Sequence, residues 1–287
     1  MQLSKFILGT AQFNGIYGVS NNRELSFQEI EKLILNSNKR KINFIEICSS
    51  YGDSQDKIFE ILEKKKLKKN FSVLYKFDQR NLESSIKFLT KLIKNRFKIQ
   101  CVMAHNTKFF LSRKFQFIVE QLKLKKIKIG VSIYTKKEIK KILESKYNVD
   151  IIQIPFSIIN KDFSDINFFK LMKLNKIKIH TRSIFHQGLI FLDDQEIKSF
   201  FKKEYEYFIN FRKTLKNKNI SIYQLSINWN FLNKNVDKVL IGLTNVDELK
   251  MLSKCKTLKK YKEIKKIVNS FQFNSMKIVD PRTWQKK

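Results

Sequence analysis

Eight short apolar runs recur along this chain, each closing on polar residues and each followed by a stretch in which apolar side chains keep helical spacing. They are Phe6 to Ala11, Phe44 to Cys48, Phe71 to Phe77, Ile99 to Ala104, Ile127 to Ile133, Ile151 to Phe156, Ile177 to Ile184 and Val239 to Leu243. Runs of Ile, Val and Phe that are not broken by regular polar alternation read as strands covered on both faces, as in a parallel sheet flanked by helices. The intervening stretches carry helix signals. Ser26 and Glu29 form a capping box ahead of Ile30, Leu33 and Ile34, and Thr135 with Glu138 forms a second. Further helices are predicted from Ser54 to about Lys65, over 82–94, from Ser112 to about Lys125, over 164–175, near 195–216, over 221–232, from Val246 and over 257–270. Eight strand–helix units in this order predict an α/β fold closed into a (β/α)8 barrel. No linker interrupts them, so residues 1–287 read as one domain.

The formal charge of +32, from 58 Lys and Arg against 26 Asp and Glu, is what a nucleic-acid or anionic-surface binder would carry. The residue types argue otherwise. Fifty of the 58 are lysine and 8 are arginine, whereas dedicated phosphate readers draw on the bidentate arginine fork. The lysines are scattered along helices, with the densest runs at Lys64 to Lys69 and Lys123 to Lys128, where exposed connections are expected. A solvated surface with weak, salt-sensitive polyanion affinity follows, without a specific nucleic-acid partner. Cys48, Cys101 and Cys255 are too few and too scattered for a disulfide framework or a metal site. The first residues lack the pattern of a leader peptide, and no apolar run is long enough to span a membrane. The expectation is a cytoplasmic protein without membrane contact, a monomer or weak homo-oligomer.

In such a barrel chemistry gathers at the C-terminal ends of the strands. The polar residues predicted there are Gly9 and Thr10 after the first strand, Glu46 and Tyr51 after the second, Lys76 after the third, and His105 and Asn106 after the fourth. Ser132 follows the fifth, Gln153 and Ser157 the sixth, Arg182 and Ser183 the seventh, and Gly242, Thr244 and Asn245 the eighth. Glu46 interrupts a buried run, and an ionised carboxylate there calls for a nearby cation. Lys76 lies one strand–helix unit further on, and His105 one more. A lysine ammonium beside a phenol favours the phenolate and lowers its pKa, with the carboxylate holding the lysine. The phenol then exchanges a proton with a carbonyl oxygen while a histidine orients that oxygen. No side chain delivers hydride, so a nicotinamide cofactor is required. Each residue also has a plainer reading, as a surface lysine, a packed tyrosine or a structural histidine. Their placement at consecutive strand ends favours the chemical one.

These motifs resemble the aldo-keto reductase family over nearly the whole chain. Phe6-Ile-Leu-Gly-Thr-Ala-Gln-Phe is similar to the family's opening strand, and Ile42 to Ser54 to its signature for the catalytic acid and tyrosine. Lys76 and Ala104-His105-Asn106 fall where the family places its lysine and histidine. Gly130-Val-Ser, Gln153-Ile-Pro-Phe, Arg182-Ser-Ile-Phe-His-Gln-Gly and Ile241-Gly-Leu-Thr-Asn are similar to its cofactor-side strands. The resemblance implies a TIM barrel that binds NADPH, less often NADH, in extended form, and reduces a small-molecule carbonyl substrate. It implies Tyr51 as general acid tuned by Lys76 and Glu46, His105 orienting the carbonyl, and the nicotinamide amide on Ser132 and Gln153. Departures are a glutamate where the family has aspartate, Ile133 where asparagine often follows the serine, Arg182 for a stacking aromatic, and no arginine across Thr244 to Glu248. NADPH and NADH therefore both stay open. The Arg182 to Gly188 pattern and Asp280-Pro281-Arg282-x-Trp284 resemble a bacterial branch linked to surface-sugar biosynthesis, which implies sugar-derived carbonyls. Two other readings stand beside this one: a nicotinamide-binding barrel with little reductase activity, and a polyanion-binding protein. Substrate choice is assigned to loops 13–25, 106–111 and 186–216.

Overall fold

A computed structural model of the chain describes residues 1–15, 17–19, 23–123, 126–202, 204–258, 260–271, 273 and 276–284, with backbone alone at 123, 276 and 277. Parts of the loop 13–25, of the Lys123 to Lys128 run and of the predicted helices ending near Lys125 and spanning 257–270 lie outside the described residues, as do 203 and 285–287. Eight parallel strands close on themselves in sequence order: β1 (Phe6–Gly9), β2 (Phe44–Cys48), β3 (Ser72–Phe77), β4 (Lys98–Ala104), β5 (Lys128–Ser132), β6 (Ile151–Pro155), β7 (Lys178–Arg182) and β8 (Lys238–Gly242). This is the expected (β/α)8 barrel.

Around it run α1 (Phe27–Lys39), α2 (Ser54–Lys64), α3 (Leu82–Lys94), α4 (Thr107–Phe110), α5 (Arg113–Lys123), α6 (Lys136–Leu143) and α7 (Ile166–Leu174). They continue with α8 (Asp194–Phe200), α9 (Tyr205–Asn217), α10 (Ile222–Phe231), α11 (Val246–Lys254), α12 (Tyr261–Asn269) and α13 (Met276–Val279). Both predicted capping boxes are present, Ser26 with Glu29 and Thr135 with Glu138. A helical turn, α4, forms ahead of one predicted helix, and another predicted helix divides. Asn106 caps α4 by accepting from Phe109 N at 2.9 Å, and Ser112 Oγ accepts from Phe115 N at 3.3 Å to begin α5. The region near 195–216 splits into α8 and α9, α8 opening on a capping box of Asp193 and Glu196.

Side chains alternate across the barrel wall, and that alternation decides what reaches the mouth. The outward residues Ile45, Ile47, Val73, Tyr75 and Phe77 pack under the helices in the main core. Inside the barrel Ile7, Leu74, Cys101, Met103 and Ile151 form a separate apolar plug, with Phe44 and Leu240 against it. Two residues further along their strands, the inward positions become Gly9, Glu46, Lys76, Gln153 and Gly242. The polar layer thus stands on a dry floor, where an unpaired charge would be costly.

Candidate active site

Glu46, Lys76 and Gln153 form a closed triangle on that floor. Lys76 Nζ donates to Glu46 Oε1 at 2.9 Å and to Gln153 Oε1 at 2.6 Å. Gln153 Nε2 donates to Glu46 Oε2 at 2.5 Å. The three side chains are 1%, 3% and 0% exposed for Glu46, Lys76 and Gln153, so the pair is shielded from solvent screening. Register explains the meeting: Cys48 lies opposite Lys76 and Glu46 opposite Leu74, so the lysine reaches diagonally to the neighbouring strand, while Gln153 comes across from β6. An ammonium has three N–H donors, and the third has no partner among the described residues. Lys76 also lines a cavity at the barrel mouth.

Tyr51 lines the same cavity, on the turn between β2 and α2. Its N–H donates to Cys48 O at 3.1 Å and its carbonyl accepts from Ser54 Oγ at 2.7 Å, while its hydroxyl bonds to no described residue. Burial pushes this phenol well above its ordinary pKa, with the Glu46 charge adding to the rise and Arg182 opposing it. The expected lysine-lowered phenol is corrected on this point. Glu46, 2.9 Å from the lysine, adds its own charge to the rise, so burial and the carboxylate together outweigh any lowering by the ammonium. A second phenol, Tyr17, lines the cavity as well. Its pKa is raised by burial, against Arg182 and a hydrogen bond with Ser183. His105 is fixed by its N–H to Phe77 O at 2.9 Å. Its ring is lowered to about 4 by burial and the Lys76 charge, against Asp78, so it is neutral near pH 7.

Of the predicted cofactor residues, Gly9, Thr10, Arg182, Ser183, Gly242 and Thr244 line the cavity, whose volume is about 360 Å³. Ser132, Gln153 and Asn245 stand behind it, as does His105. Ser132 Oγ accepts from Arg182 Nε at 3.1 Å, and Arg182 Nη2 donates to Ile133 O at 3.2 Å. The Arg182 guanidinium also lies 4.3 Å from the centre of the Tyr134 ring. Asn245 Oδ1 caps α11 by accepting from Glu248 N at 2.9 Å. Thr10 Oγ1 donates to Glu46 O at 2.8 Å, tying the first strand to the second.

The loop after β1 was not resolved into site residues by sequence reasoning. It lies against three other loops where glycines leave room. A Cβ on Gly242 would fall 1.8 Å from the Gln12 side chain, one on Gly52 2.0 Å from Asn14, and one on Gly18 2.1 Å from Gln187 O. Val19 N donates to the same Gln187 carbonyl at 3.0 Å. This seating brings Tyr17 to the cavity. The usable signal was the scarcity of glycine: six of the seven, all but Gly130, lie at strand ends or loops of the mouth. Among the described residues no group of three or more His, Cys, Asp or Glu is placed to hold a metal. No helix among them is long and apolar enough to cross a membrane.

Comparison with known proteins bears on this geometry. The family model described as "Aldo/keto reductase family" matches residues 5–270. The thermostable aldo-keto reductase Tm1743, solved with the inhibitor epalrestat, aligns with TM-score 0.70 at 16% identity, covering 93% of this chain and 94% of that one. The aldo-keto reductase AKR11C1 from Bacillus halodurans, in its holo form, aligns with TM-score 0.68 at 14% identity, covering 95% of each chain. No curated protein matches.

Proposed function

The chain belongs to the aldo/keto reductase family and is an NAD(P)H-dependent oxidoreductase, and from that premise we propose that it reduces an aldehyde or ketone to the alcohol with Tyr51 as proton donor. One observation carries the reading. Tyr51, with an unbonded hydroxyl, and Lys76, with an unspent N–H and a charge fixed by Glu46 and Gln153, open on the same cavity. The raised pKa keeps the phenol protonated, which is the state a donor must hold before reaction. As the carbonyl oxygen takes that proton, the phenolate left behind is stabilised by the ammonium, a preorganised charge that needs no reorientation. Neutral His105 is one strand further round and behind the cavity wall, so the orienting contact falls to groups that line the cavity. Glu46 and Gln153 position Lys76, so the amide of Gln153 serves the lysine rather than a nicotinamide.

The coenzyme, NADPH or NADH, supplies hydride when bound. The cavity fits a dinucleotide in kind: proton-donor groups at one end, and an apolar wall of Phe185, Phe191, Tyr223 and Met251 at the other. Gly9, Thr10, Arg182, Ser183, Gly242 and Thr244 would hold it, with Ser132 and Asn245 acting through the residues they anchor, Arg182 and Glu248. A small carbonyl compound of sugar type is the proposed substrate, on the motif resemblance together with the Tyr17 and Ser183 hydroxyls beside the donor. The barrel is proposed to act as one cytoplasmic domain over 1–287. Tyr51→Phe tests the assignment. Turnover should fall on the order of 10²–10⁴-fold with coenzyme binding unchanged. Undiminished carbonyl reduction would remove Tyr51 from the role, and failure to bind either coenzyme would overturn the reductase reading.

A further inference from the structure

The cavity has an outer compartment whose residues differ in kind from those around Tyr51. From the barrel mouth it extends past the ends of β7 and β8 to α10 and α11. Phe185 and Tyr223 are stacked with centroids 5.2 Å apart, and Phe191 packs on Phe185 at 5.1 Å. Phe191 and Met251 are 49% and 54% exposed, high values for large apolar side chains that line a cavity. The Tyr223 hydroxyl is buried and has no hydrogen-bond partner among the described residues. A flat aromatic ligand would cover the apolar side chains.

Beside Tyr223 the compartment is walled by the carboxylate of Glu248. Thr244 N and Oγ1 donate to it at 2.7 and 2.8 Å, and Asn245 Nδ2 at 3.4 Å. Its position is therefore fixed, and its two oxygens keep acceptor capacity for one more donor. Among the described lining residues the cations are Lys76 and Arg182, both at the inner end beside Tyr51. Lys250 is spent on Asp247 at 2.8 Å. Lys254 and Lys256 line a separate surface hollow that shares Tyr223 and Met251.

We infer that Glu248 makes this enzyme select NADH over NADPH. The inference rests on the reductase reading, which puts the hydride-donating ring at Tyr51 and so leaves the outer compartment for the adenosine half. A ribose with a free 2′-hydroxyl donates to a fixed carboxylate. A 2′-phosphate brings two negative charges to the same place, where no lining cation offsets them. The purine lies against Phe191, Tyr223 and Met251.

The test is fluorescence titration of the full chain with NADH and with NADPH separately at one ionic strength. NADH should bind tighter by about tenfold or more. Glu248→Gln, which keeps size and an acceptor for Thr244, should bring the two dissociation constants together, chiefly by tightening NADPH. Met251→Arg, which leaves Glu248 in place and adds a cation, should shift the ratio the same way. Equal binding, tighter NADPH, or a ratio unmoved by both variants would overturn the selection by Glu248 and leave the reductase reading standing. Binding of neither coenzyme would overturn both.

Discussion

Lys76→Met isolates what the buried triangle contributes. Methionine keeps the length of the side chain and removes the ammonium. Two charge-assisted hydrogen bonds go at once, to Glu46 Oε1 at 2.9 Å and Gln153 Oε1 at 2.6 Å. Glu46, 1% exposed, keeps the Gln153 amide at 2.5 Å and loses its cation. Breaking a buried pair from one side costs about 3–5 kcal/mol, because the surviving charge stays desolvated. Lys76 faces a cavity that water can enter, which favours the lower figure, about 3 kcal/mol. Adding Glu46→Gln removes the stranded charge and sets two amides face to face, each able to donate to the other. The double variant should regain about 1–3 kcal/mol over Lys76→Met alone. Turnover should not return, since the phenolate formed by Tyr51 would still lack its ammonium. Urea unfolding followed through Trp229, fully buried and stacked on Phe156, reads the stability. A midpoint about 1 M lower is expected for the single variant. A loss below about 1 kcal/mol for Lys76→Met, or a double variant no better than the single, would refute the claim that the two charges depend on each other.

Acid stability should follow the histidines. Burial lowers His105 and His186 to about 4 and His180 to about 3, from an ordinary 6.5. The unfolded chain therefore binds more protons than the folded one below about pH 6.5, so stability is full above that value and is lost as pH falls toward the folded values. Each full shift is worth on the order of 3 kcal/mol. Between about pH 6.5 and 5 ordinary carboxylates stay ionised, so a falling urea midpoint there reports the histidines, and a flat one would contradict their buried neutral state. Gly18→Ala should detach the loop after β1, because φ is +75° and the new Cβ would stand 2.1 Å from a backbone carbonyl that cannot yield. A cost of about 1–3 kcal/mol and a raised KM are expected; a variant with unchanged KM would mean that the loop does not shape the substrate site.

The barrel was legible because strands covered on both faces must be apolar almost throughout, and the one exception in β2 marked the site. Ile45 and Ile47 point outward under the helices while Glu46 points inward, so the residue that spoiled the apolar run was the one the barrel interior had to accommodate. Partners from across the barrel were not legible in the same way. Gln153 at the end of β6 does not declare whether its amide will meet a ligand or a carboxylate from across the barrel, and the register that decides this is a property of the closed sheet. The error over the Tyr51 phenol has the same origin. A lysine and a tyrosine at neighbouring strand ends predict a lowered pKa only if the lysine outweighs burial and nearby carboxylates, and here burial and Glu46 outweigh it. The loop after β1 failed for a different reason. Its seat is made of missing side chains, at Gly18, Gly52 and Gly242, and a vacancy leaves no pattern in the segment that fills it. Glycine is costly in unfolded-state entropy, so a chain that spends nearly all of its few glycines at one end of a barrel is keeping that end open to close backbone contact. Placed on the eight-strand pattern these glycines mark the mouth, and the loop segment they admit carries Gln12, Asn14 and Tyr17.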